Sequence, residues 1–487
     1  MKKLKISYLL LIFLLINSQS SVLFYKVPES FKIYEKIQCL YFSNNSRNSE
    51  SWSQILPIGR EILIDSNNSI YVLGYNGSPS SINVSILKCS DSGAKLWMET
   101  WGGSEREYYY DAILDSANNI YLTGETNSYG SGFTDIFLLK YSSSGFLEWF
   151  SIWGSEDFES AYSIAIDSNN SIYVCGRITI QFDQHLCLLK YDTSGILQWY
   201  RIWDDKEVGN IISMEVDSTN SVYIYLETFN GKNDKIFLLK YSNQGELLWS
   251  KGYGVSGYTE GLIMKIDSDD NIIISGRYSF YEDGTDELWI IKYNSSGIEQ
   301  WKHSWNEAFC YDILIDRFDY FYIKDLNCRG RGSYLIKYNK SLEILTDMKL
   351  EINAYIYSIK VDYLQNIYII SEISIPNEDY FNDIYIAKYN FSGNFQWSLT
   401  WGTASNEFYL DFAIDSRNNI YLLCGQSKEK IFLVKNPLDN KKSLKLNPWN
   451  NPQVIFFVSL ITVSCGLSLV VLLSILVPWL KSNKNRS

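Results

Sequence analysis

The chain is rich in carboxylates and poor in almost every other group that does chemistry. Of its 487 residues, 55 are Asp or Glu and two are histidine, His185 and His303, which leaves little material for a histidine-based triad or metal site. The motifs G-x-S-x-G, H-E-x-x-H and C-x-x-C do not occur in the sequence. A carboxylate pair could hydrolyse a glycosidic bond, but that depends on a separation in space that a sequence does not display. Repeated turns of the D-S-N-N type gather carboxylate and amide oxygens of the kind that hold Ca2+. Each turn supplies one carboxylate, too few for a cage, and Asp and Asn readily bond their own backbone in tight turns. The turns are therefore read as structural, with no cofactor expected and calcium as the ion to test. Tryptophans four residues apart, as in Trp97 and Trp101, Trp149 and Trp153, or Trp199 and Trp203, put both rings on one face of a strand. They read as packing between sheets, with sugar stacking as the alternative.

What must position these residues is a repeat. Asp65, Asp115, Asp167, Asp217, Asp267, Asp316, Asp362 and Asp415 recur at about 50-residue intervals. A tyrosine follows six residues later in seven of the eight copies, from Tyr71 to Tyr421, and a lysine closes the third strand in all eight, from Lys88 to Lys435. Five and nine residues past that lysine, six copies carry Gly and Trp, as in Gly93 and Trp97. Each copy reads as four short strands rich in Ile, Val, Leu, Tyr and Phe between Asp, Asn, Ser and Gly turns, without helical periodicity. Such units in series predict an all-β fold, an eight-bladed β-propeller of four-stranded blades, with seven blades and one atypical copy as the alternative. The eighth copy stops at its third strand, so the strand-like stretch 34–43 is expected to pair as the outer strand of the last blade and fasten the ring. The sixth copy lacks both Gly and Trp, around Leu342 and Thr346, and its blade should be the least ordered.

The stretch WGGSEREYYYDAILDSANNIYLTGET, from Trp101 to Thr126, resembles the SBBP family of β-propeller repeats, and the likeness covers roughly residues 50 to 435. It shares the Gly-Gly turn, an acidic residue, an apolar strand, Asp-Ser-x-Asn and a tyrosine strand ending in glycine. The resemblance implies an extracellular or surface-attached propeller without an assigned reaction. Copies four and six depart from it, with Leu226 and Asp325 at the glycine position. The Lys-Tyr-x-x-x-Gly-x-x-x-Trp segment is also similar to the tryptophan-docking repeat of quinoprotein dehydrogenases, but the adjacent cysteines that usually mark their quinone pocket do not occur here.

The turns after strands one and three are nearly uniform and share one face of a propeller, whereas the loops after strands two and four vary in length and content. Diversity on one face of a rigid scaffold is how binding surfaces are commonly built. The varied loops carry Glu105, Glu107, Asp157, Glu159, Asp204, Asp205, Glu260, Glu307 and Glu407, with Tyr108, Tyr258, Tyr281 and Tyr380. They make an acidic, aromatic candidate face for a basic protein patch, a divalent ion or a glycan. A solvated rim without a partner is the alternative.

Residues 1–20 combine Lys2, Lys3 and Lys5, an apolar run from Tyr8 to Ile16 and the small residues Ser18 and Ser20, the form of a secretory signal peptide. Residues 454–480 are free of charge and as a helix would measure ~40 Å against a hydrocarbon core of ~30 Å. With a linker at 448–453 and a tail at 481–487, one C-terminal transmembrane helix would leave residues 21–447 outside the cytoplasm. A net charge of −12 repels phosphate backbones and argues against nucleic acid as a partner. Cys175 with Cys187, and Cys310 with Cys328, fall on neighbouring strands, where a bridge and free buried thiols are both open. Candidate N-glycosylation sequons begin at Asn44, Asn67, Asn76, Asn83, Asn169, Asn294, Asn339 and Asn390. The expected function is a non-enzymatic cell-surface protein, anchored by one helix, that binds an extracellular protein or glycan. The alternative is an extracellular propeller enzyme, a glycan hydrolase or lyase or a quinone-type oxidoreductase.

Overall fold

The computed structural model describes residues 52–436 apart from 79, 204–207, 229–234, 255–256, 281–285, 307–312, 317, 327–332, 351–355, 375–381, 403–405 and 427–429. The expected signal peptide, the 34–43 stretch, the linker 448–453, the 454–480 helix and the 481–487 tail lie outside the described residues. Eight four-stranded antiparallel sheets follow one another along the chain, so the ring has eight blades. Blade 1 sets the pattern with Glu61–Ile64, Ile70–Ser78, Ser81–Cys89 and Lys95–Trp101, paired in chain order. First strands line the channel and bond across the seams. Asp411 on the first strand of blade 8 accepts from the Ile62 amide of blade 1 at 2.8 Å, and Asp111 of blade 2 accepts from the Ile164 amide of blade 3 at 2.9 Å. Second and third strands such as Ile120–Thr126 and Asp135–Tyr141 are buried almost throughout, because each sheet is covered by a neighbouring blade on both faces. The core is thus divided among the seams, as where Trp101, Tyr109 and Phe137 pack between blades 1 and 2.

Closure occurs in the expected blade but through a different segment. The outer strand of blade 8 is Trp52–Leu56, antiparallel to Lys430–Asn436 with Trp52 opposite Lys435. In other blades the same lysine faces the strand-four tryptophan, as Lys88 faces Trp97 and Lys140 faces Trp149. Trp52 is therefore the missing tryptophan of the eighth copy, displaced to the other end of the chain. Both edges of Lys430–Asn436 are occupied, which leaves no place beside it for the 34–43 stretch. Blade 6 forms all four strands, its first reduced to Ile313–Ile315, and Leu342 takes a φ of 60° where six other copies have glycine.

In blades 1, 3 and 4 the repeated Asp, Tyr and Lys form a lock that also reaches the next blade. In blade 4, Asp217 Oδ1 accepts the amides of Thr219 and Ser221 at 2.9 and 2.8 Å. Its Oδ2 accepts the Tyr223 hydroxyl at 3.1 Å and stands 3.4 Å from Lys240 Nζ. Lys240 also donates to the Ser295 carbonyl of blade 5 at 2.8 Å. The bond from Lys435 to the Asp91 carbonyl, 2.8 Å, repeats this contact between blades 8 and 1. A second latch lies in the D-S-x-N turns. The residue three after the aspartate is left-handed, as Asn68 is with φ 61°, and its side chain accepts from the serine of the preceding blade. Ser66 donates in this way to Asn118, Ser168 to Asn220, and Ser416 to Asn68 across the closure. Among the described residues five of the eight seams use this bond.

Candidate functional site

The predicted face divides into surface, wall and undescribed positions. Glu105 and Asp157 are exposed on the varied loops. Glu107, Glu159 and Glu407 are buried and do not belong to the surface. Each opens a first strand and turns inward, and Glu107 and Glu159 hold the loop before them. Glu107 accepts from the Gly103 amide at 3.3 Å and the Thr126 hydroxyl at 3.1 Å, Glu159 from the amide and hydroxyl of Ser155, and Glu407 from Gln426. Glu260 is half-buried in an ion pair with Arg277 at 2.7 Å, and Tyr108 is half-buried, 5.8 Å from the Tyr75 ring. Tyr258 lies on the first strand of blade 5, Gly257–Ile266. Asp204, Asp205, Tyr281, Glu307 and Tyr380 lie outside the described residues.

Between blades 2 and 3 the varied loops build an aromatic shelf that sequence reasoning missed. Phe133 and Phe158 are 63% and 51% exposed, yet their rings stack at 4.8 Å and 12°. The backbone beneath them is fixed by bonds from the Phe133 amide to the Asp157 carbonyl and from the Thr179 amide to the Phe158 carbonyl, at 2.9 and 3.0 Å. On the tight turn of blade 3, Phe182 is separately 98% exposed at a φ of 75°. Exposed Glu156 and Asp157 precede Phe158 and exposed Asp183 follows Phe182, which gives these loops negative charge. The signal in the sequence was an aromatic residue inside a polar loop, once in SGFTD and once in SEDFE.

The channel wall is the second element. Tyr110 and Tyr162 on adjoining first strands lie 5.1 Å apart, and Arg177 stands 4.6 Å from the Tyr162 ring. On the other side Arg60 donates to the Tyr75 hydroxyl at 2.7 Å, and Tyr75 donates to the Tyr109 carbonyl at 2.8 Å. Here Asp411, Glu61 and Asp111 occupy one register position on the first strands of blades 8, 1 and 2, four residues before their marker aspartates. Burial, then the carboxylates of Asp111 and Asp411, push the Glu61 carboxyl up to about 8, with Arg60 and Lys360 opposing. Burial likewise raises Asp111 and Asp411, although amide bonds hold them partly down.

The oxygens of the marker aspartates are engaged by their own turns, tyrosines and lysines, as Asp217 and Asp267 show. Asp267, Asp269 and Asp319 are the described acids whose oxygens gather within 4.8 Å of one another. All three already have partners. Asp267 has Lys292 at 2.6 Å, Asp269 has Lys340 at 3.4 Å, and Asp319 accepts from Ser268. Cys175 and Cys187 are free buried thiols, with Cys187 opposite Gly176 rather than Cys175. Cys310 and Cys328 lie outside the described residues. Among the sequons, Asn67, Asn76 and Asn169 are exposed, Asn83, Asn294, Asn339 and Asn390 are half-buried, and Asn44 lies outside the described residues.

The sequence matches no protein-family model and no curated protein. Solved structures are similar in fold. The Dos1 propeller shares 8% identity over 79% of this chain and 94% of its own, at a TM-score of 0.49. The β-propeller domain of the trilobed protease from Pyrococcus furiosus shares 10% over 70% and 98%, at 0.45. Virginiamycin B lyase from Staphylococcus aureus shares 10% over 68% and 96%, at 0.37. At these identities the likeness concerns the β-propeller fold, which enzymes and binding proteins share.

Proposed function

We propose that the protein is a surface-attached binding protein of the SBBP type, whose loop-bearing face engages an extracellular protein or glycan. The observation that carries this is the shelf of Phe133 and Phe158, two large apolar rings held rigidly in water. Exposed, backbone-fixed aromatic surface is costly in solution and is the usual anchor of a partner. The acidic loops suit a partner with basic groups beside an apolar or sugar face. The chain also leaves blade 8 at Asn436, beside the Asp415 turn.

The test is binding of the tagged full-length chain to intact cells of its own source, titrated with and without calcium. Saturable binding that Phe133→Ala with Phe158→Ala abolishes, and that Glu105→Lys with Asp157→Lys weakens, is the expected result. Absence of saturable binding by a folded chain, or binding indifferent to both sets, would refute the proposal. An enzyme is the second reading, favoured by the carboxylates of Asp411, Glu61 and Asp111. Two of these are occupied by backbone amides across the seams, while glycoside hydrolysis employs two free carboxyl groups. Binding is therefore preferred, and turnover of glycan substrates that Glu61→Gln abolishes would reverse that preference.

A further inference from the structure

We infer that the channel wall between blades 8, 1 and 2 binds a primary ammonium group, carried by a lysine side chain of a partner or by a free polyamine. The inference rests on the reading that ligands approach from the loop-bearing face. Three carboxylates face this part of the channel. Asp411 bonds the amides of Ile62 and Phe412 at 2.8 and 2.7 Å. Asp111 bonds the amides of Ile164 and Ala112, both at 2.9 Å, and the Ser163 hydroxyl at 3.0 Å. Glu61 between them makes no hydrogen bond or ion pair among the described residues. Beside it the Tyr109 hydroxyl is buried, its residue 1% exposed, and has no hydrogen-bond partner. A buried phenol and a carboxyl left without partners are an unfilled set of acceptors.

The chemistry of the donor set selects the ligand. The oxygens of Asp411, Glu61 and Asp111 do not gather within 4.8 Å, as those of Asp267, Asp269 and Asp319 do, so they are too dispersed for one metal ion. An ammonium group needs only one or two protein acceptors, with water taking its remaining N–H donors, and Glu61 offers one that has no partner among the described residues. It is also attracted to ring faces, and half-buried Tyr75 and Tyr108 stand here with ring centroids 5.8 Å apart. The charged and titratable groups around Glu61 are Asp111 and Tyr109 of blade 2, Asp411 of blade 8, Lys360 of blade 7, and Arg60 and Tyr75 of blade 1. Arg60 is already held by the Tyr75 hydroxyl and lies 5.7 Å from the centroids of the Tyr75 and Tyr109 rings. Because Glu61 keeps its proton up to about pH 8, an entering ammonium displaces that proton into solvent.

The experiment is calorimetric titration of the full-length chain with spermidine and, separately, with a short peptide bearing one lysine, between pH 6 and 9. Affinity should rise by up to about tenfold per pH unit until Glu61 is ionised and then level off. Heats in buffers of different ionisation enthalpy should report a released proton. Glu61→Gln should weaken binding by roughly 10- to 100-fold and flatten the pH profile. Gln mimics the protonated carboxyl, so this variant should melt no lower than the parent at pH 6. Binding of spermidine alone identifies a free polyamine, and binding of the peptide identifies a partner's lysine. No binding of either probe, or Glu61→Gln binding like the parent, would overturn the inference. Cell binding lost with Phe133→Ala and Phe158→Ala but kept with Glu61→Gln separates the shelf from this site, so each can fail alone.

Discussion

Lys240 and Lys140 occupy the same repeat position, yet the structure assigns them very different weights. Lys240 is 7% exposed, and its ion pair with Asp217 is sealed at the seam. Replacing it with Met removes the charge while keeping the stem against the Tyr223 ring, whose centroid lies 4.8 Å from Nζ. Breaking a buried pair costs ~3 to 5 kcal/mol. Asp217 would still accept from Thr219, Ser221 and Tyr223, which argues for the lower end, and the Ser295 carbonyl loses its donor for about 1 kcal/mol. The total is about 3 to 4 kcal/mol. Lys140 pairs instead with Glu148 of its own blade at 2.9 Å, and that carboxylate is 39% exposed. Solvent screening limits Lys140→Met to about 1 kcal/mol. Urea unfolding followed by tryptophan fluorescence, read as midpoints at constant slope, should resolve the difference. Asp217→Asn added to Lys240→Met should recover part of the loss, because no buried charge is left alone. Equal midpoints for Lys140→Met and Lys240→Met would refute the seam-lock account.

Stability should fall as pH rises from about 4.5 to 8, because Glu61 in the folded ring is raised to about 8 and holds a proton that the unfolded chain releases. The slope is at most about 1.4 kcal/mol per pH unit, less where channel water screens the site, and urea midpoints of Glu61→Gln should lack it. Removing residues through Leu56 strips the outer strand from Lys430–Asn436 and exposes a strand edge. A lowered melting temperature and concentration-dependent association on size exclusion are expected. If the chain is exported through a glycosylating compartment, peptide mass spectrometry should find sugar at exposed Asn67, Asn76 and Asn169 and none at Asn83, whose amide oxygen is buried.

How far the site could be read in advance depended on the range of the interaction involved. Glu105 and Asp157 were recognisable as surface acids because they sit among polar loop residues. Glu107, Glu159 and Glu407 look the same in sequence, but each opens a first strand and is drawn inward by donors up to 19 residues away, such as Thr126 and Gln426. Asp411, Glu61 and Asp111 were not singled out at all. Two adjoin across the closure, separated by 350 residues of chain.

The amino-acid sequence determined the blade, the number of blades and the sorting of uniform turns from varied loops. Those properties follow from strand periodicity and from Asp, Asn and Gly conformations within a 50-residue unit, which are local. Only the closed ring decided that Trp52 completes blade 8, that the D-S-N-N serines and asparagines latch one blade to the next, and that Phe133 and Phe158 meet in solvent. Each of these joins residues through a seam, and a seam exists only once neighbouring sheets have buried their faces against each other.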